Sequence, residues 1–409
     1  MEWQDLSSKL KALGVTLGKD LQPKPPLVLR FPIESVVDGD FEETLFGPVF
    51  CVTQYFPLDH VHGSVPLRPS SEISTLAKWA RIPQITSSVL DNIVFLDTET
   101  TGLSGGTGTL AFMVGVGRFN SGGFTLAQYF MRHPAEESAM LAALTHFLTP
   151  LDAIVTYNGK AFDIPLLRTR YTMQAFEFPM EDTPHFDLLA LSRRLWKDRL
   201  PACNLSIIEN QVLGVIREEE EVPGYAIPEL YLDFLRSGDA RPMHGIFYHN
   251  SIDILSLAAL FAHTAKMLET PLDQKPTDAV DMASIARLFQ FLGETSTAMT
   301  LFEESLKADL PAEVYWKTLE RVAFLLKRQG NYAEAVTLWE KAATNRQLYA
   351  CEELAKYYEH QACDFPSAMR WAEHALSSLA ITPLEPHQRL YWQERLSHRM
   401  DRLQSKIRS

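Results

Sequence analysis

The chain has 409 residues, 46% of them hydrophobic and 22% charged, which is enough for two or three domains and a sizeable core and excludes a disordered or fibrous protein. Its net charge of −13 counts against a duplex-gripping protein, since backbone binding draws on Lys and Arg. Four scattered cysteines, with no C-x-x-C pair, argue against structural zinc and secretion and fit a reducing cytoplasm.

Residues 3–13 carry helical spacing, and a Pro-rich hinge follows at Pro23, Pro25 and Pro26. From 27 to 56 the pattern turns to short β segments, a β extension placed in an N-terminal unit of 1–90. His60 and His62 then form a His-x-His pair, which reads as a polar turn because transition-metal sites need three or four ligands. No apolar leader is expected in the first 17 residues and no stretch of membrane-spanning length in the chain, so no membrane partner is expected.

Residues 91–270 read as an α/β domain. Phe95-Leu96-Asp97-Thr98-Glu99-Thr100-Thr101-Gly102-Leu103 is a buried strand ending in two carboxylates and a turn. Side chains two apart on a strand share a face, so Asp97 and Glu99 project together and repel unless a cation lies between them. A hard divalent ion such as Mg²⁺ takes such an oxygen site. A glycine-rich loop at 104–108 follows, without the Lys-Ser or Lys-Thr of a nucleotide-triphosphate loop. Residues 110–119 and 124–131 are two further strands joined by an Asn-Ser-Gly-Gly hairpin, and a helix over 134–148 crosses to a strand at 152–157.

Asn158 and Phe162-Asp163 come next, at a strand end leading into a helix, where Asp163 is either a helix cap or a third carboxylate beside Asp97. Asp187 precedes a helix over 188–196 and is expected as its N-cap, with a substrate role kept open. Arg193, Arg194, Lys197 and Arg199 make a candidate patch for a strand, against the reading of a solvated helix face. Phe162, Tyr157 and Trp196 are candidate base-stacking rings, although rings of this kind are more often core. Finally His249 and Asp253, four apart in an apolar helix running to about 267, share one face, with Tyr248 pointing elsewhere.

The motifs at 95–103, 158–163 and 249–253 resemble the three exonuclease motifs of the DEDD, or DnaQ-like, 3′–5′ exonucleases of the ribonuclease H-like superfamily. More narrowly, residues 45–265 are similar to the YprB-like group. The resemblance implies a mixed sheet flanked by helices, two Mg²⁺ or Mn²⁺ ions on Asp97, Glu99, Asp163 and Asp253, and hydrolysis at a single-stranded DNA or RNA end. It departs in one place: His249 stands four residues and Tyr248 five before Asp253, an exchange of the two residue types. His249 is taken as the base, because imidazole titrates in the useful range. Thr100, Gly102, Leu103, Gly105, Gly106, Asn158, Phe162 and Asp187 are the expected substrate contacts.

Beyond a linker at 273–278 the composition becomes all-helical. Ala286 to Ala323 and Gly293 to Gly330 both span 37 residues, and paired helices over 280–409 resemble tetratricopeptide repeats, whose concave side commonly docks a protein partner; the equal alternative is a helical bundle packed on the catalytic domain without a partner. The expected activity is metal-dependent 3′–5′ exonuclease. The alternatives are an inactive nuclease-fold scaffold and a metal phosphoesterase acting on a small or structured substrate.

Overall fold

The structure is a computed structural model that describes residues 31–70, 72–102, 107–217, 222–273 and 278–408. The expected leading helix, the Pro-rich hinge, and Leu103, Gly105 and Gly106 lie outside those residues.

One mixed seven-stranded sheet organises the first two-thirds of the chain. Strands β1 (Asp40–Thr44) and β2 (Gly47–Pro57) form a hairpin, followed by the two-residue strands β3 (Val61–His62) and β4 (Val65–Pro66) and helix α1 (Ser74–Ala80). Then come β5 (Ile93–Thr100), β6 (Ala111–Phe119), β7 (Gly123–Phe130), helix α2 (Glu137–Phe147), β8 (Ala153–Thr156), α3 (Asp163–Met173), β9 (His185–Asp187) and α4 (Leu188–Trp196). The sheet runs β1-β2-β7-β6-β5-β8-β9, with β5, β8 and β9 mutually parallel and the remaining pairs antiparallel. The β extension is thus not a separate layer: β2 pairs with β7 from Phe50↔Phe130 to Pro57↔Gly123.

Why β5 sits centrally is visible in its side chains. Ile93 and Phe95 enter one core and Val94 and Leu96 the other, as period-two alternation requires of a strand buried on both faces. The β6–β7 hairpin closes on Asn120, whose backbone N–H donates to Gly123 O while its side-chain oxygen accepts from the N–H groups of Gly122 and Gly123.

After a short helix α5 (Leu205–Ile208), which continues as a π-helical turn at Glu209–Leu213, α6 (Ile227–Ser237) leads to α7 (Met243–Glu269). Helix α7 crosses the sheet closely because β6 offers two glycines on one face. A Cβ on Gly115 would lie 2.1 Å from Asn250 Oδ1, and one on Gly117 would lie 2.8 Å from Ile254 Cγ2 and 2.3 Å from Phe124 Cζ. Contrary to the sequence expectation, α7 is long and apolar enough to cross a membrane; its apolar side chains are instead spent on the protein core, with 72% of its most apolar window buried.

The remaining chain is helical: α8 (Ala279–Leu292) with α9 (Thr295–Lys307), α10 (Ala312–Arg328) with α11 (Tyr332–Thr344), α12 (Leu348–His360) with α13 (Phe365–Ile381), and a terminal α14 (Pro386–Arg408). Gly293 at φ +84° ends α8, and Gly330 at φ +80° follows α10, the left-handed conformation that glycine adopts without a Cβ clash. One apolar core is continuous from Phe95 on β5 through Phe261 on α7 and Leu288 on α8 to Trp339 on α11, so the helical region is packed onto the sheet domain.

Candidate functional site

The site is built where β5 ends against α7. Asp97 stands opposite Gly115 in the β5–β6 register, and the space over that glycine is taken by Asn250. Asn250 is fully buried; its Nδ2 donates to Asp97 Oδ2 at 3.0 Å and its Oδ1 accepts from Gln128 Nε2 at 3.0 Å. Gln128 Nε2 also donates to the Phe247 carbonyl at 2.8 Å, so the amide chain locks α7 to the sheet and orients Asp97.

The third carboxylate comes from the other side. Thr98, between Asp97 and Glu99, donates from Oγ1 to Asp163 Oδ1 at 2.5 Å. Asp163 is the first residue of α3, where a negative charge also suits the helix dipole. Asp163 thus opens the helix without capping it, since Phe162 stands at the N-cap with no side-chain cap bond, and its charge acts on Asp97 and Glu99.

The fourth comes from α7. Asp253 and His249 share a face, with His249 Nε2 3.5 Å from Asp253 Oδ2. Together they line a cavity of about 410 Å³ with Arg217. Arg217 was not foreseen. Its guanidinium donates to Asp253, grips the buried Glu209 through two 2.6 Å bonds, and brings Nη1 to 3.3 Å from His249 Nδ1.

The electrostatics are those of carboxylates short of cations. Burial, then the charges of Asp253, Asp163 and Glu99, push Asp97 well above the usual carboxylate range. Burial with Asp253 and Asp163 pushes Glu99 up to about 8, while burial lifts Asp163 to about 6 against the Thr98 hydrogen bond. Asp253 is raised by burial and held back by His249 and Arg217. The donor set suits a hard divalent cation, which prefers several carboxylate oxygens. Among the described residues, however, no group of three or more His, Cys, Asp or Glu side chains is close enough together to hold a metal ion as the side chains stand.

The expected substrate contacts divide. Gly102 and Phe162 line one small cavity of about 170 Å³, and Phe162 is 36% exposed. Thr100 donates to the Gly102 carbonyl at 3.0 Å and holds the turn. Asp187 is the N-cap of α4, accepting from Leu189 N at 3.1 Å, and it also accepts from the backbone N–H groups of Asn158 and Lys160 at 2.9 and 3.2 Å. That grip fixes the loop in which Asn158 takes φ +71°.

Trp196 is only 1% exposed and belongs to the core, the more frequent place for such a ring, so it cannot stack a base. Two expectations are corrected. His62 is not in a solvated turn: it is buried and bonded to Ser256 at 2.9 Å, while His60 packs on Phe56, so the two imidazoles have separate partners. Arg199 leaves the basic patch for Asp281, 2.8 Å away. Of the residues missed, Asn250 lay inside the quoted 249–253 motif, where an amide beside a ligand pair was the available signal. Glu209 carried none, since a π-helical turn has no local sequence code, and neither did Arg217, which lies beyond that turn in irregular chain.

Residues 94–265 match the family described as the RNase H superfamily. The chain is also 32% identical over 359 residues, 85% of either chain, to the uncharacterized protein YprB of Bacillus subtilis (strain 168). Sheet, site and similarity agree: the chain belongs to the YprB family and carries an RNase H-like nuclease fold in its central domain.

Proposed function

We propose that the protein is a metal-dependent 3′–5′ exonuclease of the DEDD type. The observation that carries this reading is the cluster of Asp97, Glu99, Asp163 and Asp253, drawn from β5, α3 and α7, whose mutual repulsion is only partly neutralised. These four residues would hold Mg²⁺ or Mn²⁺, two ions in all. Bound divalent cations stabilise the charge of an in-line attack by water on a phosphodiester.

The chain's own residues prepare that attack. Asn250 fixes the Asp97 carboxylate, and Thr98 fixes Asp163. Phe162 and Gly102 border a slot for the terminal nucleotide. His249 is the base, and its neighbours set a condition on that role. With Arg217 donating to Nδ1, the neutral imidazole carries its own proton on Nε2, toward Asp253. It therefore accepts a further proton only when Arg217 moves off Nδ1. The helical region, as tetratricopeptide-like repeats, would dock a protein partner, and α8–α13 pair in the manner such repeats require.

Arg217 also favours a second reading, an inactive nuclease-fold scaffold, because its guanidinium already neutralises Asp253. The third, a phosphoesterase for small substrates, has no observation of its own. One experiment separates them: 3′- and 5′-labelled DNA and RNA strands, and dinucleotides, are incubated with Mn²⁺ and either the native protein or Asp97→Asn. Stepwise loss of the 3′ label by the native protein alone is expected; intact strands under all conditions would leave the scaffold, and dinucleotide cleavage alone the phosphoesterase.

A further inference from the structure

The basic end of α4 is exposed at Arg193 and Lys197 and looks toward the helical region. The two regions flank a cavity of about 710 Å³, lined by Arg193 and Arg194 of α4, Lys197 just after it, Arg287 of α8, and Lys317 and Arg321 of α10. Asp198 is the one carboxylate in the lining, and it is already held by Arg287 at 2.5 Å. Among the described residues no carboxylate lies within ion-pair distance of Arg193, Arg194, Lys197 or Arg321.

The cations are crowded. Arg194 lies over the ring of Phe291, 4.4 Å from its centroid, and its Nη2 donates to the Arg287 carbonyl at 3.3 Å. Its Nε is buried without a partner. Burial and the like charges of Arg287 and Arg321 hold its guanidinium below the ordinary value, and burial with Arg287 does the same to Arg321. A concave wall of one sign focuses its field on whatever anion enters. Phe291, 53% exposed, adds a flat aromatic face at the same place.

We propose that this cavity binds the sugar–phosphate backbone of a single-stranded nucleic acid, with Phe291 as a stacking platform, and so holds the strand at a distance from the carboxylate site. This rests on the nuclease reading of that site, because α4 joins the two places. Its N-cap, Asp187, fixes the Asn158–Lys160 loop, and its last turn carries Arg193 and Arg194. A helix of 9 residues is about 13 Å long, the reach of a few nucleotides. A single strand suits the combination of cations and an exposed ring, since any base can stack while the groove tracks the backbone. An acidic protein segment would satisfy the charges without using the exposed part of the ring that Arg194 leaves uncovered.

The test is fluorescence anisotropy of labelled oligonucleotides of increasing length, without divalent metal so that no strand is cut, at several salt concentrations. The native protein should bind more tightly as length grows. The triple variant Arg193→Gln, Lys197→Gln, Lys317→Gln should lose about ten-fold or more on the longest strand, and its salt dependence should fall by roughly 2 in the slope of log K, about 0.7 per lost phosphate contact. Phe291→Ala should cost about ten-fold. The same charge change made at Arg236, Arg328 and Lys341, exposed and outside the cavity lining, should leave binding as it was. Native-like affinity and slope in the first triple variant, or equal competition by polyglutamate and poly-dT, would overturn the proposal. Because binding is read without hydrolysis, a protein that binds through these residues yet never releases nucleotides would retire the nuclease reading alone.

Discussion

Two clusters of buried carboxylates, one at the sheet and one in the helical region, are built from the same residue types and have opposite electrostatics. Glu359 on α12 has a fully buried side chain and meets Arg399 at 2.7 Å, Arg402 at 2.6 Å and Lys406 at 2.9 Å, all from α14. The hydrogen bonds of Arg402 and Lys406 hold its carboxyl down at about 2 despite burial. Glu353 nearby is lowered in the same way by Lys327 and Lys356. At the end of β5 the balance is reversed: Glu99 is pushed up to about 8 and Asp97 well above its usual range, with Arg217 as the nearby cation. A carboxylate supplied with protein cations staples helices; carboxylates left short of them mark a place where a charge from outside is wanted.

The comparison breaks most visibly in activity. Asp97→Asn and Asp163→Asn should lower nucleotide release by about 10³-fold or more, whereas Glu359→Gln should leave the rate unchanged at temperatures where it is folded. Equal losses in the two clusters would show that the β5 carboxylates act only through stability. In urea unfolding the order reverses. Glu359→Gln leaves three cations on a buried neutral amide and should cost about 3 kcal/mol, while metal-free Glu99→Gln at pH 8 should unfold no more easily than the native protein.

A smaller effect probes the support of Asp97. Gly115→Ala drives a Cβ to 2.1 Å from Asn250 Oδ1, so Asn250 and the carboxylate it orients must shift. Activity should fall about 10–100-fold and stability by about 1–3 kcal/mol, read from kinetics and thermal denaturation of the same samples.

The smallest effects are the pH slopes of the metal-free protein, and their signs oppose. Glu99 keeps its proton in the fold up to about 8 but loses it near 4.5 when unfolded, so its stabilising share is lost as pH rises from 4.5 through 8. Glu359 is ionised in the fold down to about 2, so its share is present above 4.5 and lost as pH falls toward 2. Each single Gln variant should flatten the profile in its own window only, by on the order of 1 kcal/mol per pH unit.

Much of this was legible in the chain itself, and the boundary is physical. The alternation around Phe95, the Asn120 hairpin, the His249–Asp253 spacing and the glycines at 293 and 330 are local signals, and each produces its element. The hairpin of β1 and β2 joining β7, and the cavity shared by α4, α8 and α10, depend on contacts far apart in sequence, which periodicity does not encode. His62 was misread because nothing local distinguishes an imidazole that meets Ser256, 194 residues away, from one in solvent. Within the site the carboxylates were readable from type and spacing. Arg217 and the Asn250–Gln128 amide chain were not, because their roles arise only once α7 has crossed β6.

The most direct measurement is calorimetric titration of the protein with Mn²⁺ at pH 7.5 in two buffers of different ionisation enthalpy. Glu99 still holds a proton there in the metal-free fold, so Mn²⁺ should bind with proton release in the native protein and in Glu359→Gln, and should fail to bind in Asp97→Asn. Absence of Mn²⁺ binding by the native protein, or native-like binding by Asp97→Asn, would contradict a cation site at the end of β5.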